Sequence, residues 1–342
     1  MGYSVTVFEA MPAPGGMLRY GIPKYRLPRK ILTTQLKYFR NMGIEFKVGI
    51  NVGKDISVGE LKESGFKSFL LATGAWKNNK LNIPGENLNG VIYGLDLLKE
   101  INSGHKLKIG KNVVVIGGGN VAFDAARSAL RLGAQKVTVI YRRSRKEIPA
   151  FAEEVQSAEK EGVAIIFLTA PVRIQAESGV LGELQCIKTR LGNPDIDGRR
   201  KSIAIEGTEF KIFTDQIIVA VGETPDISLL RKYISITSLE SITPNKPGSI
   251  CVGDSGVFAG GDAVSGPSSV VEAIAAGRKA ALDIDLYLKG NNIKSPEQIQ
   301  PKIVQNPPKE GEEKKDRQES ERIYSHLPPK DFTELKTIFH RR

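Results

Sequence analysis

Four consecutive β-forming apolar residues, Val113 to Ile116, lead into Gly117-Gly118-Gly119-Asn120-Val121-Ala122, after which Ala122, Ala125, Ala126, Ala129 and Leu130 recur at helical spacing. That pattern predicts a strand buried on both faces, a tight turn, and a helix that ends at Gly133. A second apolar run, Val137 to Tyr141, predicts the next strand. Upstream, Tyr3 to Phe8 alternates as a strand does, residues 29–42 follow helical spacing, and Glu45 to Val48 and Phe69 to Ala72 are short strands. A helix is expected near Leu95 to Ile101. Downstream, Val163 to Leu168 is a strand, and residues 172–215 alternate like an antiparallel meander with turns at Gly182, Asn193 and Gly198. Asp215 to Gly222 is another buried strand, Val257 to Ala259 a further one, and a long helix starts at Ser268-Ser269-Val270-Val271. From Asn291 the pattern gives way to prolines and mixed lysines and glutamates, a tail or linker with at most one short helix near Phe332 to Phe339.

The glycine stretch fits the G-x-G-x-x-A turn that opens a dinucleotide-binding helix. Gly117 permits the turn, Gly119 lets backbone amides approach a pyrophosphate at the helix N-terminus, and Ala122 allows close packing of helix on strand. Where an NAD site would carry an acid for the ribose hydroxyl, the second strand ends in Arg142-Arg143, with Arg145 close behind. Guanidinium groups grip a 2′-phosphate that a carboxylate would repel, so the unit is read as binding NADP(H). The alternative, a nucleotide-free unit with surface arginines, leaves the glycines without a reason.

A second cradle is spread over the rest of the chain. Residues 2–10 look like the second strand of another dinucleotide unit, with Glu9 where a ribose hydroxyl is held. The matching fingerprint, due about 20 residues earlier, is absent, so the sequence reads as part of a longer protein. Residues 14–28 form a Gly/Pro-rich loop whose glycines admit a planar ligand and whose Arg26 offers a cation. Ala72-Thr73-Gly74 is a strand-to-turn passage, Gly222 ends the strand begun at Asp215, and Gly260-Gly261-Asp262 closes the strand at Val257. Asp262 suits a ribityl hydroxyl, and the helix start at Ser269 and Val270 presents amides to the negative edge of a reduced flavin.

Composition changes this picture little. The chain has 342 residues, 40% hydrophobic and 25% charged, and no apolar run near the roughly 20 residues that cross a bilayer, which makes the cytoplasm the expected location. Its net charge of +11 comes without basic stretches interleaved with aromatics, so neither nucleic acid nor membrane insertion is expected. Cys186 and Cys251 form no C-x-x-C pair, which excludes an iron–sulfur cluster held by this chain alone and a vicinal redox disulfide. His105, His326 and His340 sit in polar or tail segments, and no metal or Ser-His-Asp constellation is found.

The segments GGMLRYGIPKYRLP, LLATGAWKNNKLNIPGE, VVVIGGGNVAFDAAR, YRRSRKEIPA and FAGGDAVSGPSSVVEAIAAGRKAA together resemble the glutamate synthase small-subunit family, over roughly residues 1–290. That family includes the flavin subunits of ferredoxin-linked transhydrogenases and the NADPH-accepting part of dihydropyrimidine dehydrogenase. The resemblance implies an α/β fold of two doubly wound dinucleotide-binding domains, Rossmann-like and glutathione-reductase-like, with the NADP domain inserted in the FAD domain. The expected boundaries are 1–105 for the first FAD segment, 106–242 for the NADP domain, 243–290 for the FAD return segment and 291–342 for the tail. It implies that Glu9 holds the FAD ribose, that Gly16, Leu18 and Arg26 line the flavin, and that Val52 touches the adenine. Thr73 and Gly74 would pass near the isoalloxazine, and Gly261, Asp262, Ser269 and Val270 would close around the ribityl and pyrimidine end. Gly119, Asn120 and Val121 would take the NADPH pyrophosphate, with Arg142, Arg143 and Arg145 on the 2′-phosphate. The implied activity is hydride transfer from NADPH to FAD, with electrons passed on to an iron–sulfur protein, a second flavin or a larger catalytic subunit. Two other readings stand beside it: a non-catalytic nucleotide-binding regulatory protein, and a thioredoxin-reductase-like enzyme, which the missing cysteine pair disfavours.

Overall fold

A computed structural model describes residues 1–177, 180–194, 198–226 and 256–290. The chain divides into two compact units, Met1–Ile293 and Lys294–Arg342. The expected tail, the boundary near 242, Cys251, His326 and His340 lie outside the described residues.

The first unit opens with β1 (Thr6–Glu9), α1 (Gly16–Tyr20), α2 (Arg29–Asn41) and β2 (Glu45–Val48). β1 and β2 pair in parallel, Thr6 opposite Glu45, across this helical crossover. Then come α3 (Val58–Glu63), started by a capping box between Ser57 and Glu60, and β3 (Phe69–Leu71). After β4 (Lys77–Asn78), β5 (Val91–Tyr93) and α4 (Gly94–Ser103) follow the expected elements: β6 (Asn112–Ile116), α5 (Asn120–Arg131) and β7 (Lys136–Ile140). A 3₁₀ turn at Arg145–Glu147, α6 (Ala152–Lys160) and β8 (Ala164–Ile166) complete this stretch. The meander is β9 (Thr169–Glu177), β10 (Val180–Pro194), β11 (Arg200–Ala204) and β12 (Phe210–Phe213). The described chain ends with β13 (Gln216–Val219), β14 (Glu223–Thr224), β15 (Val257–Ala259), α7 (Asp262–Ser265) and α8 (Val270–Leu288).

Five strands form one parallel sheet in the order β5-β13-β6-β7-β8. Its strands are continuous apolar runs because both faces are covered. Val113 and Val115 face the helices, packing with Phe123, Ala126 and Leu97, whereas Val114 and Ile116 face the meander, packing with Ile174, Leu184 and Cys186. This alternation is what splits the run Val113–Ile116 between two cores.

The insertion is visible in the pairing. β3 and β15 lie side by side in parallel, Leu71 opposite Ala259, although the whole five-stranded sheet intervenes in sequence. The chain leaves for that sheet through β4 and returns through β14, and these two short strands pair antiparallel, Asn78 opposite Glu223. The Asn79 amide donates to the Gly222 carbonyl at 3.0 Å beside them. The fold is therefore the expected α/β arrangement of doubly wound dinucleotide units.

Some elements differ from the sequence pattern. Gly182 and Asn193 are not turns but lie inside β10, where register shifts fall between Leu181 and Glu183 and between Leu191 and Pro194. Glycine inside a strand marks a bulge as readily as a reversal. The start of the Gly/Pro loop is helical (α1), and the short elements α3, α7, β4, β5 and β14 lack the length to show a period.

Candidate functional site

Every part of the expected NADP cradle hangs from the carboxyl end of a parallel strand, where ligands bind in sheets of this kind. Gly117, just after β6, has φ of 149°, and a Cβ there would overlap the Ala220 carbonyl oxygen. Gly119 is the N-cap of α5 with no side-chain cap, and a Cβ there would meet nothing within 4 Å. The first amides of α5 thus face open space, which suits an anion. The Asn120 side chain is engaged elsewhere. Its Oδ1 accepts from the Phe151 amide at 3.1 Å, while the Ala150 amide donates to the Gly118 carbonyl at 3.2 Å. The 148–151 loop thereby buttresses the turn. Val121 is half-buried and packs on the helix-side core.

The arginines after β7 play unequal parts. Arg142 is exposed, and its carbonyl accepts from Thr189 Oγ1 and Ser202 Oγ, both at 2.8 Å. Arg143 is only 3% exposed, and its Nε donates to the Arg200 carbonyl at 2.6 Å. Arg145 is ion-paired with Glu159 and lies over the Phe167 ring at 5.4 Å. The meander therefore does more than cover the sheet: β10 and β11 hold the backbone from which Arg142 projects. Thr189, Arg200 and Ser202 escape a reading of the sequence because they lie 47 to 60 residues from their partners.

The expected flavin residues fall into two groups. Thr73 and Gly74 follow β3, and Gly261 and Asp262 follow β15, so the pairing of these strands brings the two segments together. The Gly260 amide donates to the Leu71 carbonyl at 3.1 Å and fixes their register. Asp262 Oδ1 accepts from the amide and hydroxyl of Ser268 at 3.1 and 2.9 Å, folding the loop over α7. Ser269 and Glu272 form a capping box, which occupies the Ser269 amide and leaves those of Val270 and Val271 as the free end of α8. Gly222 adjoins β14, whose Glu223 lies close enough to Asp262 to feel its charge.

The second group is on or near the β1–β2 pair, a separate sheet among the described residues. Glu9 ends β1 and its Oε1 accepts from the Met11 amide at 2.9 Å. Gly16 opens α1, and the Leu18 carbonyl accepts from Arg29 Nη1 at 2.9 Å. Val52 bridges to Ile56 and packs against Val58 and Leu71. Arg26 points to the inserted unit, pairing with Asp124 at 2.6 Å and Glu154 at 2.8 Å.

Burial, aided by the Asp262 carboxylate, pushes Glu223 up to about 7 from 4.5. The folded protein then holds this proton more tightly than the unfolded chain, so stability from this group falls as pH rises from 4.5 to about 7 and levels off above. Glu223→Gln is expected to be more stable than the parent above that window and to show a shallower decline across it, checked by urea unfolding at several pH values.

The profile of the pyridine nucleotide-disulphide oxidoreductase family matches residues 1–277. The chain belongs to this family. Its flavoproteins bind FAD and NADPH, in agreement with both expected cofactors. Among relatives, the chain is 42% identical over 291 residues to the NADP(+)-dependent formate dehydrogenase subunit beta of Moorella thermoacetica, covering 84% of this chain and 41% of that protein. It is 36% identical over 335 residues to the NADPH-Fe(3+) oxidoreductase subunit beta of Geobacter sulfurreducens, covering 90% of this chain and 50% of that one. It is 34% identical to the glutamate synthase [NADPH] small chain of Azospirillum brasilense, covering 84% and 62% of the two. The expected resemblance to the glutamate synthase small subunit is thus borne out, and the chain spans about half the length of these relatives. In fold it is similar to FprA of Mycobacterium tuberculosis, with TM-score 0.73, 20% identity, and 84% and 78% of the two chains covered. It is also similar to thioredoxin reductase of T. acidophilum, with TM-score 0.63, 20% identity, and 84% and 91% covered. Among the described residues no helix is long and apolar enough to cross a membrane, and no cluster of metal-ligating side chains occurs.

Proposed function

We propose that this chain is an NADPH-dependent flavin oxidoreductase that sends electrons to an iron–sulfur or flavin group of a larger catalytic partner. FAD, when bound, supplies the chemistry: a hydride acceptor that releases electrons one at a time. The residues supply position and charge. Gly119, Asn120 and Val121 offer α5 amides to the NADPH pyrophosphate, and Arg142, with Arg143 and Arg145 behind it, selects the 2′-phosphate. Thr73, Gly74, Gly222, Gly261 and Asp262 form the flavin side. The free amides of Val270 and Val271, just past Ser269 at the start of α8, favour negative charge on it, and Glu9, Gly16, Leu18 and Val52 extend toward the adenosine half. The domain limits at 242 and 290 go with this reading, while the inserted unit starts ahead of the expected limit at 105, since β5 already lies in its sheet and α4 packs on its core.

The observation that carries it is the crossing ribbon β4–β14, because it joins the strand end bearing Thr73 and Asp262 to the unit bearing Gly119 and Arg142. The donor set fits both groups: uncapped amides at Gly119 for one, and paired strand ends with Asp262 for the other. A thiol route of the thioredoxin-reductase kind finds no support in Cys186, which is buried and pushed up to about 12 by that burial.

The test is steady-state turnover of FAD-loaded protein with ferricyanide as a one-electron acceptor. The proposal expects consumption of two ferricyanides per NADPH and a much lower rate with NADH. Protein that binds NADPH tightly yet takes up no FAD and turns nothing over favours the regulatory reading instead.

A further inference from the structure

The Gly/Pro loop 14–28 is bolted to the inserted unit by a chain of charges. Arg26 Nη1 lies 2.6 Å from Asp124 Oδ2 on α5, and Arg26 Nε lies 2.8 Å from Glu154 Oε1 on α6. Glu154 is shared with Arg127, whose Nη2 reaches Glu161 Oε1 at 2.8 Å, and Glu161 also binds Arg131 at 2.6 Å. The Tyr25 ring takes the guanidinium groups of Arg131 and Arg127 at 4.0 and 4.7 Å, and its hydroxyl donates to the Asp124 carbonyl at 3.3 Å. From α4, Asn102 Nδ2 donates to the carbonyls of Tyr20 and Ile22 at 2.9 and 3.2 Å. One short loop is thus tied to three helices of the dinucleotide unit.

The centre of this network is chemically expensive. The Asp124 side chain is 5% exposed and its Oδ1 has no partner. Burial pushes its carboxyl up to about 7, against the pull of Arg26. A buried pair of this kind returns little net stability over a neutral isostere, so stability is a poor reason for its presence. What a planar guanidinium held by two carboxylates does give is a fixed distance and direction. The two ends so fixed are informative: Arg26 lies in the last part of the loop that carries Gly15 and Gly16, and Asp124 lies about one turn into the helix whose N-terminus is the pyrophosphate cradle.

We propose that Arg26 and Asp124 are a positioning pair that sets the flavin-side loop against the NADPH-binding helix, so that Arg26 acts through α5 instead of touching the flavin as the family resemblance implies. The inference rests on the oxidoreductase reading above and adds to it the device that holds the donor and acceptor sites in register. Hydride transfer is steeply sensitive to such register.

The test uses Asp124→Asn, Arg26→Met and the double variant, with Lys24→Met, an exposed neighbour in the same loop, as control. In FAD-loaded protein, each single variant is expected to slow anaerobic flavin reduction at saturating NADPH by about 10- to 100-fold, with FAD content and NADPH affinity unchanged. The double variant is expected to be no slower than the slower single, because the pair acts as one unit. Unaltered reduction rates overturn the proposal. So does a parallel fall of rate, NADPH affinity and melting temperature, the mark of a purely structural role. If the parent protein itself takes up no FAD, the oxidoreductase reading fails on its own, and the pair is judged by hydrogen exchange in residues 17–28: faster exchange in both single variants and not in the control supports it, and equal exchange rejects it.

Discussion

Gly117→Ala is expected to destabilise the protein by about 2–6 kcal/mol, the sum of a strained left-handed backbone and an overlap that cannot relax. The obstacle is the Ala220 carbonyl at the end of the neighbouring strand β13, whose amide is itself bonded to Ile116 at 2.8 Å. Relief would require unpairing β6 from β13 in the middle of the central sheet. Gly119→Ala is the contrasting case. Its backbone is extended, with φ of −84°, and the added methyl meets no protein atom within 4 Å. It should fold as the parent does and yet lose most of its NADPH affinity, since the methyl stands where the pyrophosphate approaches. Urea unfolding and NADPH titration of the two variants separate a glycine needed by the fold from one needed by the ligand. Equal stability for both would remove the basis of this assignment.

Arg142→Ala should weaken NADPH by about 1–3 kcal/mol, the worth of a charge-assisted hydrogen bond, while sparing NADH. The side chain is exposed and the backbone beneath it is fixed by Thr189 and Ser202, so truncation should leave the fold intact. Arg143→Ala should behave differently. That guanidinium is buried and donates to the Arg200 carbonyl, and removing it leaves an acceptor without its donor and a void beneath the loop. Stability should fall, and affinity for NADPH and NADH should fall together. Titrations with both nucleotides, paired with melting curves, distinguish the two roles; an Arg142 variant that loses NADH as readily would refute the 2′-phosphate assignment.

The unit from Lys111 to Arg143 is legible in the sequence because each local signal agrees with the others: an unbroken apolar run, glycines where a side chain collides or would block a ligand, and an alanine face on the helix. The return of the chain at Val257–Ala259 is legible for the same reason. The crossing ribbon is not, since β4 and β14 are two residues each and a period of two needs more than that to appear. Gly182 looks like a reversal because a lone glycine carries the same signal in a bulge. Thr189 and Ser202 look like ordinary outward positions of alternating strands, and nothing local marks them as donors to the Arg142 carbonyl. Arg26 is legible as a cation beside the flavin loop but not as half of a pair. Its partner Asp124 lies 98 residues away, where it passes for a polar residue in an alanine-rich helix.

A nicotinamide and a flavin must meet in one chamber of this chain if the proposed hydride transfer occurs. Anaerobic addition of NADPH to FAD-loaded protein, followed in the visible flavin band, shows whether they do. Rapid bleaching is expected, slowing when the transferred hydrogen at C4 of the nicotinamide is deuterium, with NADH far less effective. A flavin that keeps its colour in protein saturated with NADPH would contradict the proposed transfer.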